Sequence, residues 1–257
     1  MSELPPVTDA GFASWLAGRA GDLLLNLRAA HGHDDPAALR DAGDKSSHDL
    51  IVAELARWRP ADAVLSEEAA EDDPRRLLAD RVWIVDPLDG TREYGEPDRT
   101  DWAVHIGLWC RRLSPRLCSG AVALPAQHRV LSTAAAPAYP PLVQGRRIKL
   151  AASRTRAPAF LADVAAVLDA DLVPMGSAGA KIAAVIEGTV DGYVHAGGQY
   201  EWDSAAPVAV ALATGLHASR LDGSPLEYNR GDPRLPDLVV CRKDLAPRLL
   251  AALSTCL

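Results

Sequence analysis

Two helical patterns open the chain. Apolar side chains recur every three or four positions between Phe12 and Leu27, which predicts an amphipathic helix capped by Asp9. Turn-forming residues at 31–36 end this helix, and a second apolar pattern predicts a helix over 47–58. The spacing therefore predicts two helices before the first strand.

The pattern then changes to that of strands. Short apolar runs rich in β-branched residues predict buried strands over 63–66 and 81–85, and alternation predicts another over 102–109. Two further runs with a short connection predict a hairpin over 121–133. These elements together predict an α+β arrangement for the first half of the chain.

A proline-rich tract at 137–145 is the best candidate for a domain boundary. Beyond it strands and helices alternate, which indicates an α/β half with helices on a sheet. The predicted elements of this half lie at 147–153, after Pro158, at 171–175, 180–187 and 190–196, after Asp203, at 238–242 and at the C-terminus. We therefore expect two units, 1–140 and 141–257.

The chain has the composition of a globular protein, with 257 residues and a net charge of −7. A surplus of acid counts against binding of polymeric nucleic acid or of an anionic membrane surface, because both demand a basic face. The N-terminus lacks the pattern of a secretory signal, and no apolar run is long enough to span a membrane. We therefore expect a cytoplasmic protein.

The four cysteines show no spacing typical of a zinc site or of a disulfide framework. They are Cys110, Cys118, Cys241 and Cys256. This scatter predicts reduced thiols, in agreement with a cytoplasmic location.

The most informative segment is DPLDGT at 86–91, which directly follows a predicted strand. The strand brings Asp86 to its carboxyl end, where sheet proteins usually build their sites. Pro87 and Gly90 allow a tight turn, so that two carboxylates, a carbonyl and a hydroxyl lie within one turn. Mg²⁺ prefers such oxygen ligands, although the same residues are also common in simple turns.

Acidic residues elsewhere favour the metal interpretation. Glu67 and Glu68 close the preceding predicted strand, so one of them lies beside Asp86 if the two strands are neighbours. Asp203 opens an apolar helix, where it is typical of an N-cap but can also ligate a metal. Asp44 is a further carboxylate, which we place in a loop just before a helix.

Carboxylates that converge repel one another and raise one another's pKa values, and divalent cations remove this conflict. Sites with several ions and carboxylates are the usual apparatus for phosphoryl transfer to water, because the ions activate water and stabilise the leaving oxygen. The residues alone therefore predict a Mg²⁺-dependent phosphoesterase.

Three segments resemble the motifs of the inositol monophosphatase superfamily of Mg²⁺-dependent, lithium-sensitive phosphatases. They are SEE at 66–68, WIVDPLDGT at 83–91 and WDSAAP at 202–207, in family order and spacing over nearly the whole chain. Within the superfamily the chain is most similar to the CysQ-type 3'(2'),5'-bisphosphate nucleotidases. The resemblance implies a layered αβαβα sandwich and hydrolysis of 3'-phosphoadenosine 5'-phosphate to AMP.

The resemblance also implies roles for individual residues. The ligands of two or three Mg²⁺ ions would be Glu67, Asp86, the carbonyl of Leu88, Asp89 and Asp203. Thr91 and Asp44 would orient and deprotonate the attacking water together with Glu67. The substrate would contact Leu88, Asp89, Gly90, Thr91 and Asp203.

The segment around Asp44 departs from the family pattern. The family has an Asp, a Val-Thr pair and a second Asp, whereas this chain has the shorter run DKSSHD at 44–49. Asp44 aligns with the first Asp of the family, and the match of Asp49 with the second is left open. Whether a third metal ion uses this segment therefore also stays open.

A glycine-containing turn at 176–181 lies between a predicted strand and a predicted helix. Its backbone N–H groups can meet an anion, Ser177 is expected to contact substrate, and Lys181 can neutralise a second phosphate. The alternative is a simple turn with a solvated lysine. Arg156 can add charge nearby, whereas we expect Arg154 to be a surface residue.

Other features near the motifs have a structural as well as a functional interpretation. His195 ends a predicted strand, and we expect it to be structural rather than part of a pocket. Tyr200 and Trp202 can stack on adenine, but core packing is the favoured role of Trp202. The charged run 71–76 is expected to be a solvated loop.

The preferred hypothesis is a cytoplasmic Mg²⁺-dependent phosphomonoesterase that acts on a small phosphorylated substrate, first of all 3'-phosphoadenosine 5'-phosphate. Inositol 1-phosphate or fructose 1,6-bisphosphate is the alternative substrate. A regulator of the same fold that senses a metal or a nucleotide is the alternative outside enzymes, and the complete set of acidic residues argues against it. The sequence leaves open whether the protein forms a homodimer.

Overall fold

A computed structural model describes residues 4–69, 73–141 and 145–257 of the protein. The helices of these ranges are α1 (Asp9–His31), α2 (Pro36–Trp58), α3 (Thr91–Gly95), α4 (Leu161–Leu168), α5 (Ala178–Ile186), α6 (Ala205–Thr214) and α7 (Ala246–Cys256). The strands are β1 (Ala63–Ser66), β2 (Arg81–Asp89), β3 (Ala103–Cys110), β4 (Leu117–Leu124), β5 (Arg129–Ser132), β6 (Ile148–Ser153), β7 (Ala170–Met175), β8 (Gly192–Tyr200), β9 (His217–Ser219) and β10 (Arg234–Cys241). Within the described ranges no helix combines the length and the apolar character that crossing a membrane requires.

The first sheet has the strand order β1-β2-β3-β4-β5. β1 runs parallel to β2, and each of the following pairs is antiparallel. α1 and α2 cover one face of this sheet, where Phe12 and Leu16 of α1 join Trp83, Val104 and Ile106 in a buried core. The helical spacing of apolar residues in α1 thus matches the face that it buries.

The second sheet has the order β7-β6-β8-β10-β9. α5 and α6 lie between the two sheets, and their side chains share one core with Val82 and Ile84 of the first sheet and Val240 of the second. α4 and α7 pack on the other face of the second sheet. The layers therefore follow the order αβαβα, which confirms the expected sandwich.

α2 is longer than its apolar pattern predicts, and the placement of Asp44 in a loop is wrong. The helix begins at Pro36, after Asp35, whose carboxylate accepts two backbone N–H groups at 3.0 and 3.1 Å. A Cβ atom at Gly43 would lie 2.7 Å from Cε1 of Tyr94, so glycine allows α2 to pack closely against α3. This part of α2 carries few apolar residues, which is why the pattern does not show it.

Other boundaries also differ from the predictions. Thr8, rather than Asp9, caps α1, because its Oγ1 accepts the N–H of Gly11 at 3.2 Å. β9 is three residues long, too short to give a recognisable pattern. Of the charged run 71–76, residues 71 and 72 lie outside the described ranges, and the remainder enters a 3₁₀ helix over Pro74–Leu78.

Two of the cysteines are paired, which corrects the expectation of four thiols. Cys110 ends β3 and Cys118 lies near the start of the antiparallel neighbour β4, and the two form a disulfide. Their pairing follows from the β3–β4 hairpin, which brings residues eight positions apart to neighbouring strands. Cys241 and Cys256 are free thiols, as expected.

Candidate active site

The parallel pair β1 and β2 places two acidic residues at one edge of the first sheet. Ser66 is in register with Val85, so Glu67 and Asp86 follow these two residues on neighbouring strands. Asp86 is 1% exposed, whereas Glu67 borders the solvent at the mouth of a cavity that both residues line. The strand pairing on which the sequence hypothesis depended is therefore present.

The residues after Asp86 turn sharply and begin α3. The backbone N–H of Leu88 donates to Oδ1 of Asp86 at 3.0 Å, and the pairing with β3 shifts register between Asp86 and Asp89. Gly90 has a φ of +84°, a conformation that glycine adopts without strain, and it leads directly into Thr91, the first residue of α3. The turn thus brings Asp86 and Asp89 to the same side of the sheet edge.

Asp203 reaches these two carboxylates from the other half of the chain. It ends a 3₁₀ helix over Glu201–Asp203 just before α6, and its Oδ2 accepts the N–H of Tyr200 at 2.6 Å. One carboxylate oxygen from each of Asp86, Asp89 and Asp203 lies within 4.8 Å of the others. Hard oxygen ligands at this spacing suit a divalent cation of the Mg²⁺ type.

The pKa values of the acidic residues also favour a metal site. Burial, together with the charges of Glu67, Asp89 and Asp203, raises the pKa of Asp86 well above its usual value. Burial and the neighbouring Asp203 and Asp89 raise the pKa of Glu67 to about 8, and burial and Asp89 raise the pKa of Asp203 to about 7. Such crowding of negative charge is costly unless a cation compensates it, so the residues fit a metal ion.

Asp89 is the exception in this cluster, because many donors surround it. Its carboxylate accepts hydrogen bonds from the Ser177 hydroxyl at 2.5 Å and from the N–H groups of Ala178 and Gly179 at 3.1 and 2.6 Å. Burial raises its pKa, but these donors and the contact with His105 outweigh burial and hold the pKa below its usual value. Asp89 therefore stays charged and ties β2 to the start of α5.

His105 joins the two halves of the site. Its Nδ1 lies 3.0 Å from the carbonyl oxygen of Trp202, which can only accept, so Nδ1 carries the proton. Its Nε2 lies 3.3 Å from Oδ2 of Asp89, and the ring is fully buried in β3. His105 thus lies between the DPLDGT turn and the segment that carries Asp203.

Thr91 and Asp44 meet on the other side of the turn. The Thr91 hydroxyl lies 3.0 Å from the carbonyl of Leu88 and 3.4 Å from Oδ1 of Asp44. Burial and the charge of Glu68 raise the pKa of Asp44 to about 7, near the value of an effective general base at neutral pH. The hydroxyl is suited to orienting a water molecule, and the neighbouring carboxylate is suited to accepting its proton.

Ser47 and Asp49 of the 44–49 run have structural partners. The buried Ser47 hydroxyl donates to the carbonyl of Pro87 at 2.7 Å, which anchors α2 to the DPLDGT turn. Asp49 pairs with Lys45 at 2.6 Å on the exposed face of α2, outside the cavity. The structure therefore brings Asp44 to the site but not Asp49.

The ammonium group of Lys181 is buried rather than solvated. The residue is 4% exposed, and its Nζ donates to the carbonyls of Gly176 and Ser177 at 3.0 and 2.7 Å. Lys181 lines the cavity, and its charge lies close enough to Asp89 and Asp203 to act on them. The interpretation as a solvated surface lysine is therefore wrong.

The cavity beside these groups has a volume of about 410 Å³, the size of a small-ligand site. Arg40, Arg92 and Arg156 line it, and within the described ranges their guanidinium groups have no ion pair or hydrogen bond. By contrast, Arg154 pairs with Glu93 and Glu96 at 2.8 Å and does not line the cavity. Three arginines without an ion pair in these ranges, placed beside the carboxylate cluster, suit a substrate with several negative charges.

The second half of the chain supplies the rest of the wall. His195 lines the cavity, and its Nε2 also has a structural partner, the carbonyl oxygen of Gly197 at 2.6 Å. Tyr200 and Trp202 stack on each other, with ring centroids 4.7 Å apart, and Trp202 also packs against the central core, as expected. Neither ring lines the cavity, so neither is placed to stack on a base there.

Sequence reasoning missed several residues of the site. His105 stands within an apolar strand, and Arg40 and Arg92 stand in helices with no motif around them. Only the position of Arg92 directly after Thr91 is a signal that sequence alone offers. Gln199 and Tyr193 also line the cavity, and nothing in their sequence context marks them.

Comparison with known proteins agrees with this geometry. The chain matches the inositol monophosphatase family over residues 15–257. It is 54% identical over 240 residues to the 3'-phosphoadenosine 5'-phosphate phosphatase of Mycobacterium bovis, covering 91% of this chain and 89% of that protein. It is 30% identical over 234 residues to the 3'(2'),5'-bisphosphate nucleotidase CysQ of Escherichia coli K12, covering 83% and 91%.

A solved structure shares the fold. CysQ from Bacteroides thetaiotaomicron, a bacterial member of the inositol monophosphatase family, superposes with a TM-score of 0.76 at 25% identity, over 90% of this chain and 96% of that one. The family match over residues 15–257 spans both sheets and the three motifs that carry the acidic residues. The chain therefore belongs to the inositol monophosphatase family.

Proposed function

We propose that this protein is a Mg²⁺-dependent phosphatase that hydrolyses the 3'-phosphate of 3'-phosphoadenosine 5'-phosphate, giving AMP and inorganic phosphate. The observation that carries the proposal is the cluster of Asp86, Asp89 and Asp203 beside a cavity with three arginines that have no ion pair in the described part of the chain. The mycobacterial relative named for this activity, 54% identical over most of its length, supports the choice of substrate.

We propose two or three Mg²⁺ ions as cofactor. Their ligands would be Glu67, Asp86, the carbonyl of Leu88, Asp89 and Asp203, since these oxygens line one cavity and most belong to carboxylates. When bound, Mg²⁺ activates water and stabilises the oxygen that leaves with the nucleoside. The oxygen ligands and the elevated pKa values of Glu67, Asp86 and Asp203 support this assignment.

Thr91, Asp44 and Glu67 are proposed as the catalytic residues. The Thr91 hydroxyl would take a proton from the attacking water while it passes its own proton to Oδ1 of Asp44, 3.4 Å away, so that the proton ends on Asp44. Glu67 would hold the water from the end of the neighbouring strand β1. The raised pKa of Asp44, about 7, gives it proton affinity at neutral pH.

The substrate phosphate would be held at the start of α3 and α5. Leu88, Asp89, Gly90, Thr91 and Asp203 border the reacting phosphate in this proposal, and Gly90 and Thr91 offer backbone N–H groups. Ser177 and Lys181 would act mainly by fixing the turn before α5, because Ser177 is bonded to Asp89 and Lys181 to two carbonyls. Arg92 and Arg156 would bind the second phosphate, which is not hydrolysed.

Hydrolysis of inositol 1-phosphate or fructose 1,6-bisphosphate remains the alternative activity. The three unpaired arginines favour a substrate with two phosphates over an inositol monophosphate. We further propose a cytoplasmic location, assembly as a monomer or homodimer, and a division into the units 1–140 and 141–257, each of which carries one sheet.

Phosphorus NMR of a reaction with 3'-phosphoadenosine 5'-phosphate tests the activity and its position on the substrate. We expect Mg²⁺-dependent formation of inorganic phosphate and adenosine 5'-phosphate. Formation of adenosine 3'-phosphate would show that the wrong ester is cleaved. No phosphate release under conditions in which the protein is folded and Mg²⁺ is present would contradict the proposal.

Substitution of both Arg92 and Arg156 by alanine is expected to remove selectivity for a second phosphate. Charge-assisted hydrogen bonds contribute about 1.5–3 kcal/mol each, so kcat/KM for 3'-phosphoadenosine 5'-phosphate should fall at least about tenfold. The value for adenosine 3'-monophosphate should change about twofold or less. Arg248→Ala, which removes an exposed charge on α7, is the matched control. An equal loss of kcat/KM for both substrates would show that the two arginines do not bind the second phosphate.

A further inference from the structure

Two buried acceptor atoms in the cavity wall have no partner in the described part of the chain. They are Nδ1 of His195 and Oε1 of Gln199, and both residues belong to the lining of the cavity. His195 is 6% exposed and Gln199 is 5% exposed. Buried polar atoms without a partner are uncommon in native proteins, so a pair of them in one cavity calls for an explanation.

The partners of the other atoms of these side chains fix their chemistry. Nε2 of His195 lies 2.6 Å from the carbonyl of Gly197, which can only accept, so Nε2 carries the proton and Nδ1 has a free lone pair. Burial lowers the pKa of His195 to about 4, with help from Lys181 and Arg156, so the ring is neutral at neutral pH. His195 therefore presents an acceptor.

Gln199 presents an acceptor as well. Its Nε2 donates to the hydroxyl of Tyr193 at 3.0 Å, which orients the amide and leaves Oε1 without a donor. Both residues belong to β8, on either side of a bulge where β8 loses register with β10 between positions 196 and 199. One irregular strand thus supplies two acceptors to the same cavity.

We infer that His195 and Gln199 bind N–H or O–H donors on the part of the substrate that carries no phosphate. This inference rests on the proposed function, in which the phosphates occupy the carboxylate cluster and the arginine-lined side of the cavity. In a nucleoside bisphosphate the remaining donors are the exocyclic amino group of the base and the free hydroxyl of the sugar. A site built to accept a hydrogen bond rejects an analogue that lacks the donor, because its own polar atoms then stay buried and unpaired.

The wild-type protein with three substrates tests the inference without any substitution. The substrates are 3'-phosphoadenosine 5'-phosphate, its inosine analogue, in which a carbonyl replaces the amino group, and its 2'-deoxy analogue. We expect kcat/KM to fall at least about tenfold for one analogue, and the analogue affected identifies the donor that is bound. Values within about twofold for all three substrates would overturn the inference.

Two substitutions then assign the effect to these residues. Gln199→Met and His195→Leu each remove one acceptor, so the variant that loses the acceptor of the missing donor should turn over the parent substrate about tenfold more slowly while leaving the penalised analogue nearly unchanged. Gln127→Met makes the same chemical change outside the cavity and should leave all values unchanged. An equal loss of kcat/KM for the parent substrate and the analogue would indicate that the two residues have only a structural role.

Failure of the proposed function would give a different result. If the wild-type protein releases no phosphate from 3'-phosphoadenosine 5'-phosphate but does so from another phosphomonoester, the proposed substrate is wrong. If the parent substrate is hydrolysed and no analogue is penalised, the function stands and the acceptor pair does not. The wild-type comparison remains decisive even if a substituted protein does not fold.

Discussion

Replacing Asp86 by asparagine is expected to abolish Mg²⁺-dependent turnover and, at the same time, to stabilise the metal-free protein. Asp86 is fully buried and faces three other carboxylates, so its charge is costly without a cation. Asparagine keeps the oxygen that accepts the N–H of Leu88, while it removes the charge. The substitution therefore relieves repulsion without breaking the turn.

The loss of turnover and the gain of stability are measured separately. We expect kcat/KM to fall at least about a thousandfold, which corresponds to about 4 kcal/mol of transition-state stabilisation. The free energy of unfolding, measured by urea titration with a chelator present, should rise by about 0.5–2 kcal/mol. Asp49→Asn, on the exposed face of α2, should change turnover little. Full activity of the Asp86 variant, or a loss of stability without metal, would contradict the assignment of Asp86 to the metal site.

Stabilisation by Mg²⁺ is expected to grow with pH between about 6.5 and 8.5. In the metal-free protein, burial and neighbouring charges raise the pKa of Glu67 to about 8 and those of Asp203 and Asp44 to about 7. The folded protein then holds protons that the unfolded chain, with ordinary carboxyl pKa values near 4, has already released. Its stability therefore falls as pH rises through this range.

Bound Mg²⁺ needs the charged carboxylates, so its affinity rises over the same range. We expect the Mg²⁺-induced increase in melting temperature to be several degrees larger at pH 8.5 than at pH 6.5. Differential scanning calorimetry with and without Mg²⁺ at both pH values checks this result. The difference should shrink in the Asp86→Asn protein. An equal increase at the two pH values would indicate that the carboxylates are already fully ionised without metal.

The acidic residues of the site were predictable because most of them lie where a strand ends. Short β-branched runs identify β1 and β2, and their parallel pairing brings Glu67 next to Asp86. The DPLDGT turn then adds Asp89, and the polar start of α6 marks Asp203. In each case the acidic residue lies at a boundary between an apolar element and a turn, and a single sequence shows such boundaries.

Other parts of the site depend on packing between distant segments. Asp44 lies within a helix that few apolar residues mark, and Gly43 matters only because Tyr94 packs against it. His105 looks like any polar residue in a buried strand until Asp89 and Trp202 are placed beside it. Arginines without an ion pair can be recognised only from the structure, which shows the ion pairs that the other arginines form.

We propose that the carboxylate cluster and the arginine-lined cavity act together on a nucleoside bisphosphate. The most direct measurement compares kcat/KM with Mg²⁺ for 3'-phosphoadenosine 5'-phosphate, inositol 1-phosphate and fructose 1,6-bisphosphate. We predict that the nucleotide exceeds both others by at least about tenfold, a difference of about 1.4 kcal/mol in transition-state binding. A tenfold preference for inositol 1-phosphate would contradict a nucleoside bisphosphate as the substrate.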